Sequence, residues 1–198
     1  MRRIPFLLGL FLILSLPALA QESPSTPAAE LYAGYAYGRL NTGLVTANDH
    51  QHNLNGWNAQ VAANLNHWLG LVFDYSGYTG TPIVAGGPVD QRIQAFMGGP
   101  RVTWRGHGRW NPYVHTLFGA TRIHAFAGGD SARVTSFTMA LGGGLDWQAS
   151  QHWAFRLAQA DYLFTRFPSV DANGKDLGAS QHSVRIATGI TCRFGKRD

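Results

Sequence analysis

Residues 134–147, VTSFTMALGGGLDW, alternate between apolar and small or polar side chains at every second position. The apolar face carries Phe137, Met139, Leu141, Leu145 and Trp147. The opposite face carries Ser136, Thr138, Ala140, Gly142, Gly144 and Asp146. Because successive strand residues point to opposite sides of a sheet, this period predicts a β-strand with one apolar face. No window of 11 or more residues after residue 20 keeps a helical period of 3.6, which excludes a helix-bearing α/β fold.

The same alternation recurs along the chain and predicts eight strands, separated by breaks rich in Gly, Pro, Asn or Asp. The predicted strands are 30–40, 54–66, 67–79, 91–104, 110–124, 134–147, 152–166 and 181–194. Long connections are predicted at 41–53, 80–90, 125–133 and 167–180, and short ones near 66–67, 105–109 and 148–151. The alternation of long and short connections predicts an all-β, eight-stranded antiparallel up-and-down barrel with both termini at the short-turn end.

The first 20 residues have the form of a cleavable secretory signal. Met1-Arg2-Arg3 is cationic, residues 4–16 are apolar, and Ala18-Leu19-Ala20 is a small-x-small cleavage site. The apolar run is shorter than the ~20 residues of a membrane-spanning helix. We therefore expect a signal peptide at 1–20, a flexible lead-in at 21–29, the barrel domain at 30–194 and a polar tail at 195–198. A single cysteine, Cys192, allows no internal disulfide.

Alternation alone leaves two barrels open, because it does not say which face is inside. A soluble lipocalin-like barrel points apolar residues inward around a ligand, whereas a membrane barrel points them outward against lipid. Charged residues make up only 14% of the chain, against about 25% in an ordinary soluble domain. The polar faces carry mostly Gly, Ala, Ser, Thr, Asn and Gln, which suits a narrow interior and favours the membrane barrel. Basic residues are scattered, so no nucleic-acid partner is expected.

Aromatic residues cluster beside the three short turns. Amphipathic aromatics are favoured where lipid meets water, so this cluster predicts an interfacial belt at one end of the barrel. The belt residues are Trp68, Trp104, Trp110, Trp147, Trp153 and Phe194. Trp68 and Asp74 are separated by an even number of positions, so on one regular strand they would point to the same face. Taken alone, this parity favours a soluble sandwich with aromatic residues at its strand ends.

Charged residues on the polar faces predict an interior network. Charges withdrawn from water must be paired and hydrogen-bonded. The candidates are Asp74, Arg101, Asp146, Arg156, Asp161, Arg185 and Arg193. Because Arg156 and Asp161 have opposite parity on one strand, both can face inward only if an irregularity at 157–160 shifts the phase.

The signal peptide, the eight segments and the ending Thr191-Cys192-Arg193-Phe194 resemble the OmpA-like and opacity-type eight-stranded bacterial outer-membrane barrels, the porin-like barrel domain family. The phrases at 55–58 (NGWN), 98–101 (GGPR) and 161–163 (DYL) carry the same resemblance. It implies localisation in the bacterial outer membrane, contact with outer-membrane lipid and lipopolysaccharide, and insertion by the barrel assembly machinery. Unlike the family's usual terminal aromatic, Phe194 is followed by four residues, and no peptidoglycan-binding domain follows, so a wall-tethering role is not carried over.

Chemistry-bearing residues do not predict an enzyme, a cofactor or a metal site. His50 and His52 beside Asp49 lack a third ligand. His182 and Ser183, near Asp176, point to opposite faces of a strand. We expect a monomeric outer-membrane barrel with a filled polar interior and an envelope structural or surface-interaction role through four extracellular loops, whose partner the sequence does not identify. The alternatives are a small porin-like channel and a soluble periplasmic lipocalin-like lipid-binding barrel.

Overall fold

The computed structural model describes residues 26–41, 51–80, 83–84, 87–88, 90–106, 108–127, 130–167 and 179–197. Within these ranges eight antiparallel strands form a closed barrel in which each strand pairs with its neighbours in sequence and the last pairs with the first. The strands are β1 (Ala29–Asn41), β2 (Gln51–Asn64), β3 (Leu69–Gly80), β4 (Asp90–Thr103), β5 (Trp110–Ala127), β6 (Asp130–Gln148), β7 (Trp153–Phe167) and β8 (Ala179–Phe194). The predicted fold class is confirmed. No helix in the described ranges is long and apolar enough to cross a membrane.

The prediction of a long connection at 125–133 is wrong. β5 and β6 stay paired up to Ala127 and Asp130, because alternation continues beyond residue 124 and a two-residue Gly-Gly break suffices for a hairpin. Between β3 and β4, Ile83–Val84 pairs with Gly87–Pro88. The predicted signal peptide, residues 21–25 of the lead-in, and most of the first and last long connections lie outside the described residues.

The outer face of the barrel is apolar, as β6 shows. Phe137 and Leu141 are each 55% exposed, whereas Thr138 and Ala140 are completely buried. This arrangement is the reverse of a ligand-enclosing soluble barrel, in which the apolar side chains line the cavity.

The interior is less uniformly polar than the sequence suggests. One buried apolar cluster includes Val72, Met97 and Leu117, and a second includes Leu54 and Ile93. Because an eight-stranded barrel is just wide enough for its side chains to fill, these larger residues pack the lumen that small residues alone would leave open.

β7 contains a bulge at the place that parity predicts. Gln159 pairs with Ala187 and Arg156 pairs with Gly189, so Leu157 and Ala158 together oppose a single residue of β8. Both bulge residues are exposed. The extra residue reverses the phase of the strand, and Arg156 and Asp161 consequently both point into the barrel.

The short-turn end is tied together by local hydrogen bonds. Asn66 Oδ1 accepts the backbone N–H groups of Trp68 at 2.9 Å and Leu69 at 2.7 Å, which forms a compact side-chain-to-backbone turn. Trp68 therefore lies in the turn, outside β3, and its parity with Asp74 does not define its face. The chain before β1 is bound here too, since Asn64 N donates to Ala28 O at 3.0 Å.

Candidate functional site

All seven charged residues that the sequence places inside the barrel point into the lumen, each 4% exposed or less. They separate into two groups. The first, here the central network, consists of Asp74, Asp146, Arg156, Asp161 and Arg185, together with Gln60, His115 and Gln159. The second, here the turn-end cluster, consists of Arg101 and Arg193 together with Glu30, Asn64 and Arg105.

Arg185 joins two carboxylates across the lumen. Its Nη1 and Nη2 donate to the two oxygens of Asp74 at 2.9 and 3.1 Å, and its Nε donates to Asp161 Oδ2 at 2.7 Å. β3, β7 and β8 supply these groups, so the network links non-neighbouring strands. Paired donation from one guanidinium to one carboxylate is the geometry in which Arg binds most strongly.

Arg156 forms the second centre of the network. Its Nε and Nη2 donate to Asp146 Oδ1 and Oδ2 at 2.8 and 3.2 Å. Its guanidinium carbon lies 4.1 Å from the ring centre of Tyr32 and 4.6 Å from that of Tyr113. A planar guanidinium stacks well on aromatic faces, so the two tyrosines hold Arg156 in place while Asp146 compensates its charge.

Two glutamines connect the two centres. Gln60 Nε2 donates to Asp74 at 2.7 Å, while its Oε1 accepts from Arg156 Nη1 at 2.6 Å. Gln159 accepts from the same Nη1 at 2.7 Å and donates to Asp161 at 2.6 Å. Because an amide both donates and accepts, each glutamine relays between a cation and an anion.

In the turn-end cluster one carboxylate faces three guanidinium groups. Glu30 accepts from Arg101 Nη2 and, at 3.1 Å, from Arg105 Nη2. Arg193 Nε lies 3.9 Å from the same carboxylate. Asn64 Oδ1 accepts from Arg105 at 3.0 Å. Arg101 and Arg193 thus pair with Glu30 instead of joining the central network with the predicted aspartates.

Arg105 reaches this cluster from the turn after β4. It also donates through Nη1 to the backbone oxygen of His67 at 2.8 Å, and His67 Nε2 contacts the backbone oxygen of Arg105 at 2.8 Å. Burial lowers the pKa of the Arg105 guanidinium, and the Glu30 carboxylate acts in the opposite direction. These reciprocal bonds fix two short turns to each other across the barrel mouth.

Sequence reasoning missed Glu30, Arg105 and His115. His115 Nε2 lies 2.7 Å from Asp161 Oδ1 in the interior. Parity could have found Glu30 and His115, because Glu30 is in phase with Tyr32 on β1, and His115 is in phase with Tyr113 on β5. No strand pattern covers Arg105, since it lies in a turn.

The glycine run of β6 makes room for the network. A Cβ on Gly142 would collide with Asp161 Oδ1, and a Cβ on Gly144 would come within 2.6 Å of the Tyr113 hydroxyl. These glycines permit close packing of side chains from β5 and β7.

The predicted belt residues all lie at the short-turn end and on the outer face. Trp68, Trp104, Trp110, Trp153 and Phe194 are 50–54% exposed. Trp147 is partly covered and stacks on Phe155 with ring centres 6.1 Å apart.

Other residues with chemical potential are placed apart from the network. His182 faces outward and hydrogen-bonds Tyr162, whereas Ser183 faces inward. Asp49, His50 and Asp176 lie outside the described residues, and His52 lies in β2, where its backbone pairs with Leu40 of β1. Within the described part of the chain, no three His, Cys, Asp or Glu side chains are arranged to hold a metal ion.

Apolar side chains outside, a filled polar interior and a belt of aromatics define the class of membrane-type eight-stranded barrels. The family model of the outer membrane protein beta-barrel domain matches residues 6–188, and the chain belongs to that family. No curated protein matches the chain.

Solved structures share the fold at low sequence identity. Neisserial surface protein A has a TM-score of 0.65 and 14% identity over 84% of this chain and 97% of its own. Ail, the attachment invasion locus protein of Yersinia pestis, solved with the heparin analogue sucrose octasulfate, has a TM-score of 0.55 and 15% identity over 84% and 97%. OprG from Pseudomonas aeruginosa has a TM-score of 0.51 and 10% identity over 87% and 99%.

Proposed function

We propose that the protein is a monomeric integral barrel of the bacterial outer membrane with a closed interior. It serves the envelope as a structural element and as a carrier of surface contacts at its long-loop end. In this proposal the termini and the three short turns face the periplasm, and the connections at the opposite end of the barrel face outward. Lipid and lipopolysaccharide surround the barrel, and the barrel assembly machinery inserts it.

The observation that carries this proposal is the exposed apolar wall. Outward-facing residues such as Leu71, Phe73, Phe118 and Leu141 are about half exposed, and in water such a surface would drive aggregation. Leu141 lies six residues from Trp147 on β6. At ~3.3 Å per residue and a strand tilt of ~40°, it stands ~15 Å above the belt, close to the middle of a ~25 Å apolar band.

The closed interior argues against conduction. Arg156 and Arg185 are each 1% exposed or less, and the bonds from Arg185 to Asp74 and from Arg156 to Gln60 cross the lumen between non-neighbouring strands. Opening a path would leave buried charges without partners, which is costly. A structural and surface role therefore fits the geometry better than the porin-like alternative.

Membrane integration is tested on the full chain expressed in bacteria. The protein should stay in the outer-membrane fraction after an alkaline wash. It should also migrate faster on a detergent gel before boiling than after it, because the closed barrel resists the detergent. Recovery as a soluble periplasmic species would overturn the proposal and favour the lipocalin-like alternative.

Conduction is tested separately in planar bilayers. The purified barrel should give no conductance steps, and Arg109→Gln, at an exposed position in a turn, should behave identically. Steps that change when Asp146 is replaced by Asn would contradict the closed interior and support a small channel, since Asp146 lies inside the lumen.

A further inference from the structure

The outer face changes character at the long-loop ends of β4, β5 and β6. Along β5 the outward positions run uncharged from Pro112 to Ala120 and then become Arg122 and His124. On β6, which is antiparallel to β5, the outward-facing Phe137 and Thr135 are followed toward the long-loop end by Arg133. On β4, Phe96 and Gln94 are followed by Arg92. The first outward-facing cation on each strand therefore appears at a similar level.

Strand register brings four of these basic residues together, here called the basic patch: Arg92, Arg122, His124 and Arg133. Arg92 lies opposite His124, and His124 lies opposite Arg133. Arg122 is the neighbouring outward position on β5, ~6.6 Å along the strand. The register therefore places three arginines at positions next to His124 on the outer face.

The guanidinium groups of the basic patch lie outside the ion pairs found among the described residues. All three arginines are exposed, and none takes part in the ion pairs of the described residues. Their other cross-strand neighbours are Thr79, Gln94 and Thr135, none of which is acidic. Like charges this close repel each other, so the arrangement favours an anion from outside the chain.

The height of the patch fits the lipid headgroup level. Arg122 lies 12 residues from Trp110 in the belt. At ~3.3 Å per residue and a tilt of ~40°, the separation is ~30 Å along the membrane normal, against an apolar band of ~25 Å. The patch therefore stands just beyond the hydrocarbon, facing the lipids that surround the barrel.

We propose that the basic patch is a binding site for a phosphate group of an outer-leaflet glycolipid, the phosphorylated lipid A portion of lipopolysaccharide. Arginine forks donate in pairs to phosphate oxygens, and an anchored phosphate at this height needs no space inside the barrel. The proposal rests on the membrane placement proposed above.

The test uses the folded barrel in detergent micelles, titrated with lipid A and with chemically dephosphorylated lipid A. The double variant R122Q/R133Q should bind lipid A about 25-fold more weakly, at about fivefold for each arginine near an anionic surface. The matched control, R109Q/K196Q, removes two exposed cations at the opposite end and should bind as the unmodified protein does. Dephosphorylated lipid A should bind weakly to all three proteins.

Each outcome separates the site from the membrane placement. Unmodified protein that fails to fold into micelles, judged by its unboiled gel migration, overturns the placement and the site together. A folded double variant with unchanged affinity, or equal affinity for dephosphorylated lipid A, overturns the site alone. If a soluble sulfated polysaccharide binds the patch as tightly as lipid A does, the lipid A assignment is overturned and the partner is an anionic polymer.

Discussion

Replacing Arg185 by Met should lower the free energy of unfolding by about 3–5 kcal/mol, because it leaves buried carboxylates without their cation. Met is unbranched and flexible, so it can occupy much of the space of the arginine side chain. The variant therefore removes charge and hydrogen bonds with little loss of packing.

The magnitude follows from the contacts of this one side chain. Arg185 donates three bonds to carboxylates, two to Asp74 and one to Asp161. At about 1.5 kcal/mol for each charge-assisted bond, the low end of the usual range, the loss is about 4.5 kcal/mol. Asp74 keeps Asn58 and Gln60 as donors at 2.9 and 2.7 Å, which limits the penalty and keeps the expectation inside the stated range.

The assay is reversible urea unfolding of the barrel in phosphatidylcholine vesicles, followed by tryptophan fluorescence. Five of the six tryptophans lie in the outward-facing belt, so their emission reports loss of the lipid environment. Arg109→Met is the control, because this exposed turn residue has none of the buried contacts, and its change should stay within about 0.5 kcal/mol. If Arg185→Met changes the free energy of unfolding by no more than the control does, the central network does not stabilise the barrel as described.

Two further substitutions test the neighbouring features. Gly142→Ala should lower the free energy of unfolding by about 1–3 kcal/mol, because the new methyl group displaces Asp161. The control Gly106→Ala should be neutral, because a Cβ there would have nothing within 4 Å. Equal urea midpoints for the two variants would show that the close approach at Gly142 is unimportant. Leu141→Arg should reduce the stability of the inserted barrel by about 2–4 kcal/mol near the midplane, and Leu65→Arg at the turn end by about 0–1 kcal/mol. A Leu141→Arg variant as stable in vesicles as Leu65→Arg would argue against lipid contact at Leu141.

Period-two alternation sorted the residues of each strand into two faces, and the low share of charged residues indicated that the apolar face points outward. Together these assigned Leu141 outward and Asp146 inward on β6, and the parity conflict between Arg156 and Asp161 located the bulge. The sorting into faces depends only on local geometry, since successive side chains must point to opposite sides.

Pairing within the interior could not be predicted in the same way. Parity gives the face of a residue, but partners also depend on height and position around the barrel, which are set by the register of every strand between them. Arg101 had several inward acids available, and only the closed register shows that it meets Glu30. The hairpin at Ala127 and Asp130 was missed because the Gly-Gly break was included in a longer loop, although two residues suffice for the turn.

The bulge at Leu157 and Ala158 also makes β7 tolerant of one change in chain length. Removing either residue would restore uninterrupted alternation between Arg156 and Asp161, so both side chains would still point into the barrel. A single-residue deletion where alternation is already regular would instead move the residues beyond it to the opposite face. In a mutational survey, single-residue deletions at 157–158 should therefore be tolerated better than single-residue deletions elsewhere in β7.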